Sequence, residues 1–197
     1  MTTLELNSSL EDEYQKQLHS LKLKRFYQQR KIKSNTRLLI TISIIFIFIA
    51  VLTGSYWVNL AMIACWWVIF GLSNVMEASG LDRSERRLRK NVEAYFDPSF
   101  RATVGFDDEG FSLTVNKPKE ETFAFSWKHF IGYNDSGEVL LFAAINKKGI
   151  CFTRNEMGEE AFTGLRKLVA EKLPTLKTYY EEEKTLWRII VQRLQKR

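Results

Sequence analysis

An uncharged stretch from Leu38 to Met76 constrains the fold of this chain more than any other feature. Its thirty-nine residues include no Asp, Glu, Lys, Arg or His. Because a hydrocarbon core of about 30 Å needs only about 20 helical residues, the stretch is long enough to cross a membrane twice. Gly, Ser, Asn and two aromatic residues between Leu52 and Asn59 suit a tight turn at headgroup level. The sequence therefore predicts a transmembrane helical hairpin with crossings at 38–53 and 57–76.

Basic residues flank this stretch on both sides, and none lies in the turn. Under the positive-inside rule, this pattern places the N- and C-termini in the cytoplasm and the turn on the opposite side. We therefore expect an integral, multi-pass protein with two crossings of a plasma or inner membrane. The flanking cations should also attract anionic headgroups, so membrane lipids are an expected partner. The basic residues are Lys22, Lys24, Arg25, Arg30, Lys31, Lys33 and Arg37 before the stretch, and Arg83, Arg86, Arg87, Arg89 and Lys90 after it.

The formal net charge of +6 does not indicate nucleic-acid binding. The soluble part contains no basic motif interleaved with aromatic residues, so we expect no nucleic-acid partner. The polar first ~30 residues lack the apolar core of a cleavable signal peptide. Cys65 falls in the second crossing and Cys151 in a predicted strand, so a disulfide between them is not expected. Two free cysteines are consistent with a soluble part that lies in a reducing cytoplasm.

Residues 1–37 are predicted to form a strand followed by a juxtamembrane helix. Alternation of polar and apolar residues in Thr2–Leu6 indicates the strand, and Asn7–Ser9 offers helix-capping side chains. From Leu10 to about Lys31, no Gly or Pro interrupts a polar helix with a thin apolar stripe, and this helix could continue into the first crossing. We expect the stripe to pack on the soluble domain or to lie along the bilayer. It consists of Tyr14, Leu18, Leu21 and Phe26.

A second charged helix is predicted over residues 77–97, directly after the hairpin. Asp82 and Glu85, three residues apart, resemble a capping arrangement. Asp97 and Pro98 end this helix, because proline disfavours helical geometry in the residue before it.

Between Pro98 and Thr153 the apolar residues change to a period of two, which indicates β-strands. Turn residues divide this region into six short strands, as in a meandering antiparallel sheet. Val139–Ile145 is apolar throughout, which predicts a strand buried on both faces. Met157–Leu173 then follows helical spacing and should cover one face or opening of the sheet. The predicted fold class is thus an α+β membrane protein, with residues 98–173 forming a cytoplasmic β domain and its closing helix.

Residues 174–197 are predicted to contain an amphipathic helix from Leu176 to Arg197. Apolar residues at helical spacing form one side, and the end is basic. Three roles remain open for this helix: docking on its own domain, pairing with another chain, or lying on the membrane.

Three stretches of the soluble part resemble the bacterial YcxB-like membrane proteins. They are Gly105–Phe111, Phe125–Phe130 and Cys151–Met157. The resemblance covers about residues 4–173. It implies a cytoplasmic domain similar to pleckstrin-homology (PH) folds, in which a bent seven-stranded antiparallel sheet or barrel is closed by a C-terminal helix. It also implies that the membrane hairpin is inserted between the first and the second strand.

The resemblance supplies no established activity and marks no residue as catalytic. At the position that often reads Ile-Pro-Lys-Arg in the family, this chain has Phe152-Thr153-Arg154-Asn155. The chain therefore departs from the family pattern by lacking the proline and one basic residue.

Residues suited to catalysis or metal binding do not combine into a recognisable site. His19 and His129 have no Cys or His neighbour at ligand spacing, and each is expected at a surface or an interface. Cys151 belongs to no nucleophile motif and is expected to pack within a strand. The acidic turn Asp107–Glu109 lacks the ligand spacing of a calcium loop. We therefore expect no enzyme activity, no catalytic residue, no cofactor, no metal and no small-molecule substrate.

Basic residues in the turns of the soluble domain are the candidate binding residues. They either converge at one end of the domain or scatter over its surface. The leading expectation is a non-enzymatic, membrane-anchored protein that presents a PH-like domain to a protein partner or to lipid headgroups. The alternative is a small subunit of a larger membrane complex whose hairpin packs against other transmembrane helices, and a homo-oligomer also remains open. The candidate residues are Lys117, Lys119, Lys128, Lys147, Lys148 and Arg154.

Overall fold

The computed structural model describes residues 2–115, 120–146 and 148–176. Its helices are α1 (Leu10–Thr53), α2 (Tyr56–Tyr95), α3 (Arg154–Met157) and α4 (Glu159–Lys172). Its strands are β1 (Thr2–Leu6), β2 (Ala102–Phe106), β3 (Gly110–Val115), β4 (Glu121–Ser126), β5 (Phe130–Asp135), β6 (Val139–Ala144) and β7 (Gly149–Thr153). The described residues thus belong to the α+β class. They divide into two compact units, of which the first runs to Lys24 and resumes at Glu85, and the second lies from Arg25 to Ser84.

Helices α1 and α2 are both long and apolar enough to cross a membrane. With 44 and 40 residues, they extend for about 66 and 60 Å at 1.5 Å per residue. Each predicted crossing is therefore part of a longer helix that also contains the predicted juxtamembrane helix. The predicted turn is confirmed at Gly54, whose φ is +70°. Phe48 and Leu72 are 64% and 60% exposed, an outward placement of apolar side chains that suits lipid and is unfavourable in water.

In the second unit, the buried and half-buried residues of α1 and of α2 recur three or four positions apart. These residues form the seam between the two helices. The Trp67 indole donates a hydrogen bond of 3.1 Å to Ser43 Oγ across this seam. Asn59 and Asn74 are buried, and their side-chain amides donate to the carbonyls of Ser55 and Phe70 in their own helix. These bonds satisfy polar groups that would otherwise be costly in lipid.

Two ion pairs join the helices next to the uncharged stretch. Arg25 Nη2 lies 2.7 Å from Asp82 Oδ1, and Lys31 Nζ lies 3.4 Å from Glu77 Oε2. The prediction that Asp82 caps a separate helix is therefore wrong. Asp82 lies inside α2, and its carboxylate binds a guanidinium on α1 because the helix continues through Gly80 without a break.

In the first unit, β1–β4 form a four-stranded antiparallel sheet and β5–β7 a three-stranded one. All six strands predicted after Pro98 are present. Strand β1 pairs with β2 so that Leu4 lies opposite Val104. This confirms that residues 4–6 join the later strands, although α1 and α2 separate them in the sequence. Within the described residues the two sheets remain unclosed and do not form one barrel.

The core of the first unit is centred on the ring of Phe111. Five aromatic rings lie with their centroids between 5.0 and 5.8 Å from it. Helix α4 adds Phe162, Leu165 and Val169, each at most 1% exposed. Burying such side chains contributes about 1.5–3 kcal/mol each. The prediction that Val139–Ile145 is buried on both faces is confirmed for residues 139–143, which are at most 1% exposed, but Ile145 follows the end of β6 and is 64% exposed. The five rings belong to Phe125, Trp127, Phe130, Phe142 and Phe152.

The end of the described chain differs from the prediction in two ways. The predicted helix Met157–Leu173 is broken at Gly158, whose φ of +78° separates α3 from α4. Leu176 is not the start of a helix, because its backbone amide donates to Tyr133 O at 2.7 Å and holds the chain beside β5. The rest of the predicted C-terminal helix, 177–197, lies outside the described residues.

Candidate functional site

The structure does not bring the described candidate basic residues together. Lys128 and Lys148 are exposed and share one end of the β5–β7 sheet, where Ala144 N donates to Lys148 O and Ile145 N donates to His129 O. Arg154 follows β7 at the opposite end of that sheet. Its side chain donates to Gly137 O at 2.5 and 2.9 Å and pairs with Glu159 at 3.2 Å. The Arg154 side chain thus stabilises the turn at Gly137 and the start of α4. Lys117, Lys119 and Lys147 lie outside the described residues.

A buried polar network joins the start of α1 to the junction between β7 and α3. We call it the Asp12–Glu156 network, after the two carboxylates at its centre, which are each 4% exposed. Asp12 Oδ1 accepts a hydrogen bond of 2.7 Å from Thr153 Oγ1. Asp12 Oδ2 accepts from Asn155 Nδ2 at 2.8 Å and from both the amide and the hydroxyl of Ser9. This carboxylate therefore caps α1 and binds the segment after β7 at the same time.

Glu156 forms the second half of the network. Its Oε1 accepts from Thr153 N at 2.9 Å, which completes the capping box at the start of α3. Its Oε2 accepts from Ser8 Oγ at 2.6 Å and forms a salt bridge with Lys16 Nζ. The Glu156 side chain is fully buried and that of Lys16 is 19% exposed. Since both carboxylate oxygens are hydrogen-bonded, the burial of this charge is compensated.

The pKa of Asp12 lies below its ordinary value. Burial acts to raise it, but the hydrogen bonds donated by Ser9, Thr153 and Asn155 stabilise the ionised form and outweigh burial. The network therefore depends on an ionised Asp12, and the arrangement is suited to fixing α1 on the sheet.

One residue of α1 and one of β7 have shifted pKa values. His19 is 4% exposed, which excludes the surface position but not the interface position that the sequence left open, and burial together with the charge of Lys22 lowers its pKa to about 4. Burial raises the pKa of the Cys151 thiol to about 12. Cys151 Sγ lies 3.9 Å from Ser20 Oγ and donates to Lys16 O at 3.6 Å. A thiol held in this form is a packed strand residue, as predicted, and has no nucleophilic character at neutral pH.

We expect the first unit to lose stability as the pH falls from 6.5 to 4. In this window the unfolded chain binds a proton at His19 while the folded chain does not, so the free energy of unfolding falls with pH. The loss should reach about 2 kcal/mol by pH 5. Protonation of Asp12 adds to this loss of stability only at lower pH, because the pKa of Asp12 lies below its ordinary value. Unfolding midpoints at pH 7, 6 and 5 measure the slope, and His19→Gln should flatten it; an unchanged slope would contradict the assignment.

An open groove with a volume of about 830 Å³ lies between α4, the β2–β3 turn and the edge strand β1. Leu4, Ala161 and Leu168 are half-buried and contribute apolar surface to it, while Phe106 and Met157 lie buried beneath. We call it the acidic groove because carboxylates surround this apolar surface. The carboxylates are those of Asp107, Asp108, Glu159 and Glu160. Sequence reasoning treated the acidic turn as solvated and did not connect it with α4, since the two are about fifty residues apart.

A second, shallower groove of about 400 Å³ lies over the outer face of the β1–β4 sheet. Gly105, Ser112 and Ala124 lie opposite one another on three neighbouring strands. His129 lines the edge of this groove and is exposed, in agreement with its predicted surface position. Small side chains in one row leave this face flat.

Comparison of the chain with protein-family models, curated proteins and solved structures found no match. Within the described residues, no group of three or more His, Cys, Asp or Glu side chains is placed to hold a metal ion. The function is therefore argued from the topology of the chain and from its surfaces.

Proposed function

We propose that this chain is a non-enzymatic, two-pass protein of a plasma or inner membrane that presents a cytoplasmic PH-like domain to a protein partner or to lipid headgroups. The observation that carries the proposal is the pairing of β1 with β2. The chain leaves this sheet, passes through two helices long and apolar enough for a membrane, and returns to the same sheet. Two chain connections therefore link the sheet to the hairpin, as suits a domain that acts at the membrane.

The PH-like character of the domain rests on the number and order of its elements. Seven antiparallel strands in a group of four and a group of three are followed by α4, which buries three large side chains in their core. The resemblance to YcxB-like proteins supports the same proposal. All three of its stretches contribute residues to the Phe111 core, and Cys151–Met157 also contributes to the Asp12–Glu156 network.

The orientation of the hairpin is tested by accessibility of single cysteines. In a Cys65→Ser background, Ser55→Cys in the turn should react with a membrane-impermeant maleimide added to intact cells. Glu120→Cys in the sheet domain should react only after permeabilisation, because the basic flanks favour a cytoplasmic position for it. Cys151 should remain unlabelled in both cases, since burial raises its pKa to about 12. Labelling of Glu120→Cys in intact cells would reverse the proposed orientation.

The role of the domain in binding is tested by replacing the hairpin. A chimera carries an unrelated two-crossing hairpin in place of residues 38–76, and proteins and lipids that copurify with it are compared with those of the unaltered chain. We expect the same set with both, since the proposal places binding in the sheet domain. Loss of a protein partner only in the chimera would favour the alternative. Reproducible turnover of a small substrate by the purified chain would overturn the non-enzymatic proposal.

The alternative, a small subunit of a larger membrane complex, is favoured by one exposed pair of small residues. Ala61 and Cys65 lie four apart on the exposed side of α2, where another helix could approach closely. The other small pair does not offer such a surface. Ala50 is 4% exposed within the hairpin, and Gly54 forms the turn.

A further inference from the structure

The acidic groove has the chemistry of a docking site for a basic, amphipathic segment. We propose that its occupant is the C-terminal segment of this same chain, residues 177–197. This inference goes beyond the proposed function, because it assigns the groove to the chain itself and makes it unavailable to other molecules while the segment is bound.

The groove offers apolar surface within an acidic rim. Salt bridges neutralise part of this rim, since Lys172 lies 3.1 Å from Asp108 and Arg154 lies 3.2 Å from Glu159. Asp107 and Glu160 add two carboxylates. A ligand that covers the groove must therefore supply apolar side chains for its floor and positive charge for its rim.

The lining also leaves room for close approach of another chain. A Cβ atom built at Gly158 or Gly164 would meet no atom within 4 Å. Gly164 lies in the middle of α4, where a glycine costs about 0.5–1 kcal/mol relative to alanine. Because the packing of the described residues does not require a glycine there, its position in the groove suits contact with a second segment.

Residues 177–197 have the complementary composition. They contain six Lys or Arg and three Glu, which gives a net charge of +3. Apolar residues recur at helical spacing near the basic end, so one side of the segment can cover apolar surface. These apolar residues are Leu186, Trp187, Ile190 and Leu194.

The segment begins close enough to the groove to reach it. Lys172 contacts Asp108 on the rim, and Leu176 follows it four positions later in the chain. Four residues span at most about 14 Å. A segment tethered at this distance has an effective concentration on the order of millimolar. Even modest affinity therefore keeps the groove occupied, and a competing ligand must displace the segment.

Disulfide trapping in the full-length protein tests this docking. In a Cys65→Ser background, Gly164→Cys is combined in turn with Trp187→Cys, Ile190→Cys and Leu194→Cys. We expect at least one pair to crosslink within a single chain, with a yield about tenfold above its control, because docking holds the two cysteines of that pair close together while the tether is the same in both. The matched control is Ala170→Cys, which is exposed on the same helix but does not line the groove.

The remaining outcomes separate the other possible occupants. Asp107→Asn combined with Glu160→Gln should lower the intrachain yield severalfold if rim charge guides docking. Crosslinked dimers in place of crosslinked monomers would assign the groove to a second copy and overturn the proposal. Yields equal to the Ala170→Cys control for all three pairs would also overturn it. In that case, quenching of Trp187 fluorescence by brominated lipids, measured in a variant whose other four tryptophans are replaced by Phe, would identify the membrane as the site of the segment.

Discussion

Replacing Glu156 by Ala is expected to lower the free energy of unfolding of the first unit by about 3–5 kcal/mol, the usual cost of breaking a buried ion pair on one side. The substitution removes the buried carboxylate that pairs with the Lys16 ammonium and the acceptor for Thr153 N at the start of α3. Hydrogen exchange of β2 and β7 peptides in detergent measures the effect. About 1.4 kcal/mol corresponds to a tenfold loss of protection.

A matched control is available in an exposed ion pair on α2. Arg89 and Glu93 lie 3.4 Å apart with side chains 78% and 51% exposed, so Glu93→Ala should cost less than about 0.5 kcal/mol. Lys16→Met should also destabilise the first unit, because it leaves the buried carboxylate with hydrogen bonds from Thr153 and Ser8 but without a cation. The double variant Lys16→Met/Glu156→Ala should cost less than the sum of the two single changes, since it removes both members of the pair. Additive losses would show that the ion pair does not couple α1 to α3.

The Asp12–Glu156 network also shows where sequence reasoning stops. Helical spacing directed attention to the apolar stripe Tyr14, Leu18, Leu21 and Phe26, of which Phe26 is buried and the other three are half-buried. The residues of α1 that contact the segment from β7 to α3 also include polar ones, with Asp12 and Lys16 among them. Periodicity detects apolar faces, whereas a polar face buried against complementary groups looks like a solvated one. No local signal in the sequence pairs Asp12 with Thr153, because the two are separated by the whole hairpin.

The sequence did predict the elements that depend on local rules. The hairpin turn, the six strands after Pro98 and the burial of β6 follow from turn residues and from the period of the apolar positions. The start of α1 also follows from a local rule, since Ser9 Oγ accepts from Asp12 N at 3.2 Å as a capping residue does. The acidic groove could not be predicted in the same way. Its walls come from β1, the β2–β3 turn and α4, and only the tertiary fold brings them together.

Gly110→Ala is expected to be the most damaging single-methyl change in the described chain, with a loss of about 3 kcal/mol in the stability of the first unit. This glycine is the first residue of β3 and faces β4 at very short range. A Cβ atom at this position would lie 1.9 Å from Phe125 O and 2.8 Å from Phe125 C. These are backbone atoms, so no side-chain rotation can relieve the clash and β4 must move away from β3. That shift would disturb the contact of Phe111 with Phe125, whose ring centroids are 5.0 Å apart.

Gly164→Ala adds the same methyl group but is expected to have the opposite effect on the stability of the first unit. Its Cβ would meet no atom within 4 Å, and alanine restricts the unfolded chain more than glycine does, so we expect a gain of about 0.5–1 kcal/mol. Hydrogen exchange of β3 and β4 peptides should therefore become faster in Gly110→Ala and remain unchanged or become slower in Gly164→Ala. Similar exchange in the two variants would mean that β3 and β4 do not approach as closely at Gly110 as the structure places them. Loss of protection in β3 and β4 alone, in Gly110→Ala, would show that the close approach of β4 to Gly110 keeps these two strands paired beside the Phe111 core.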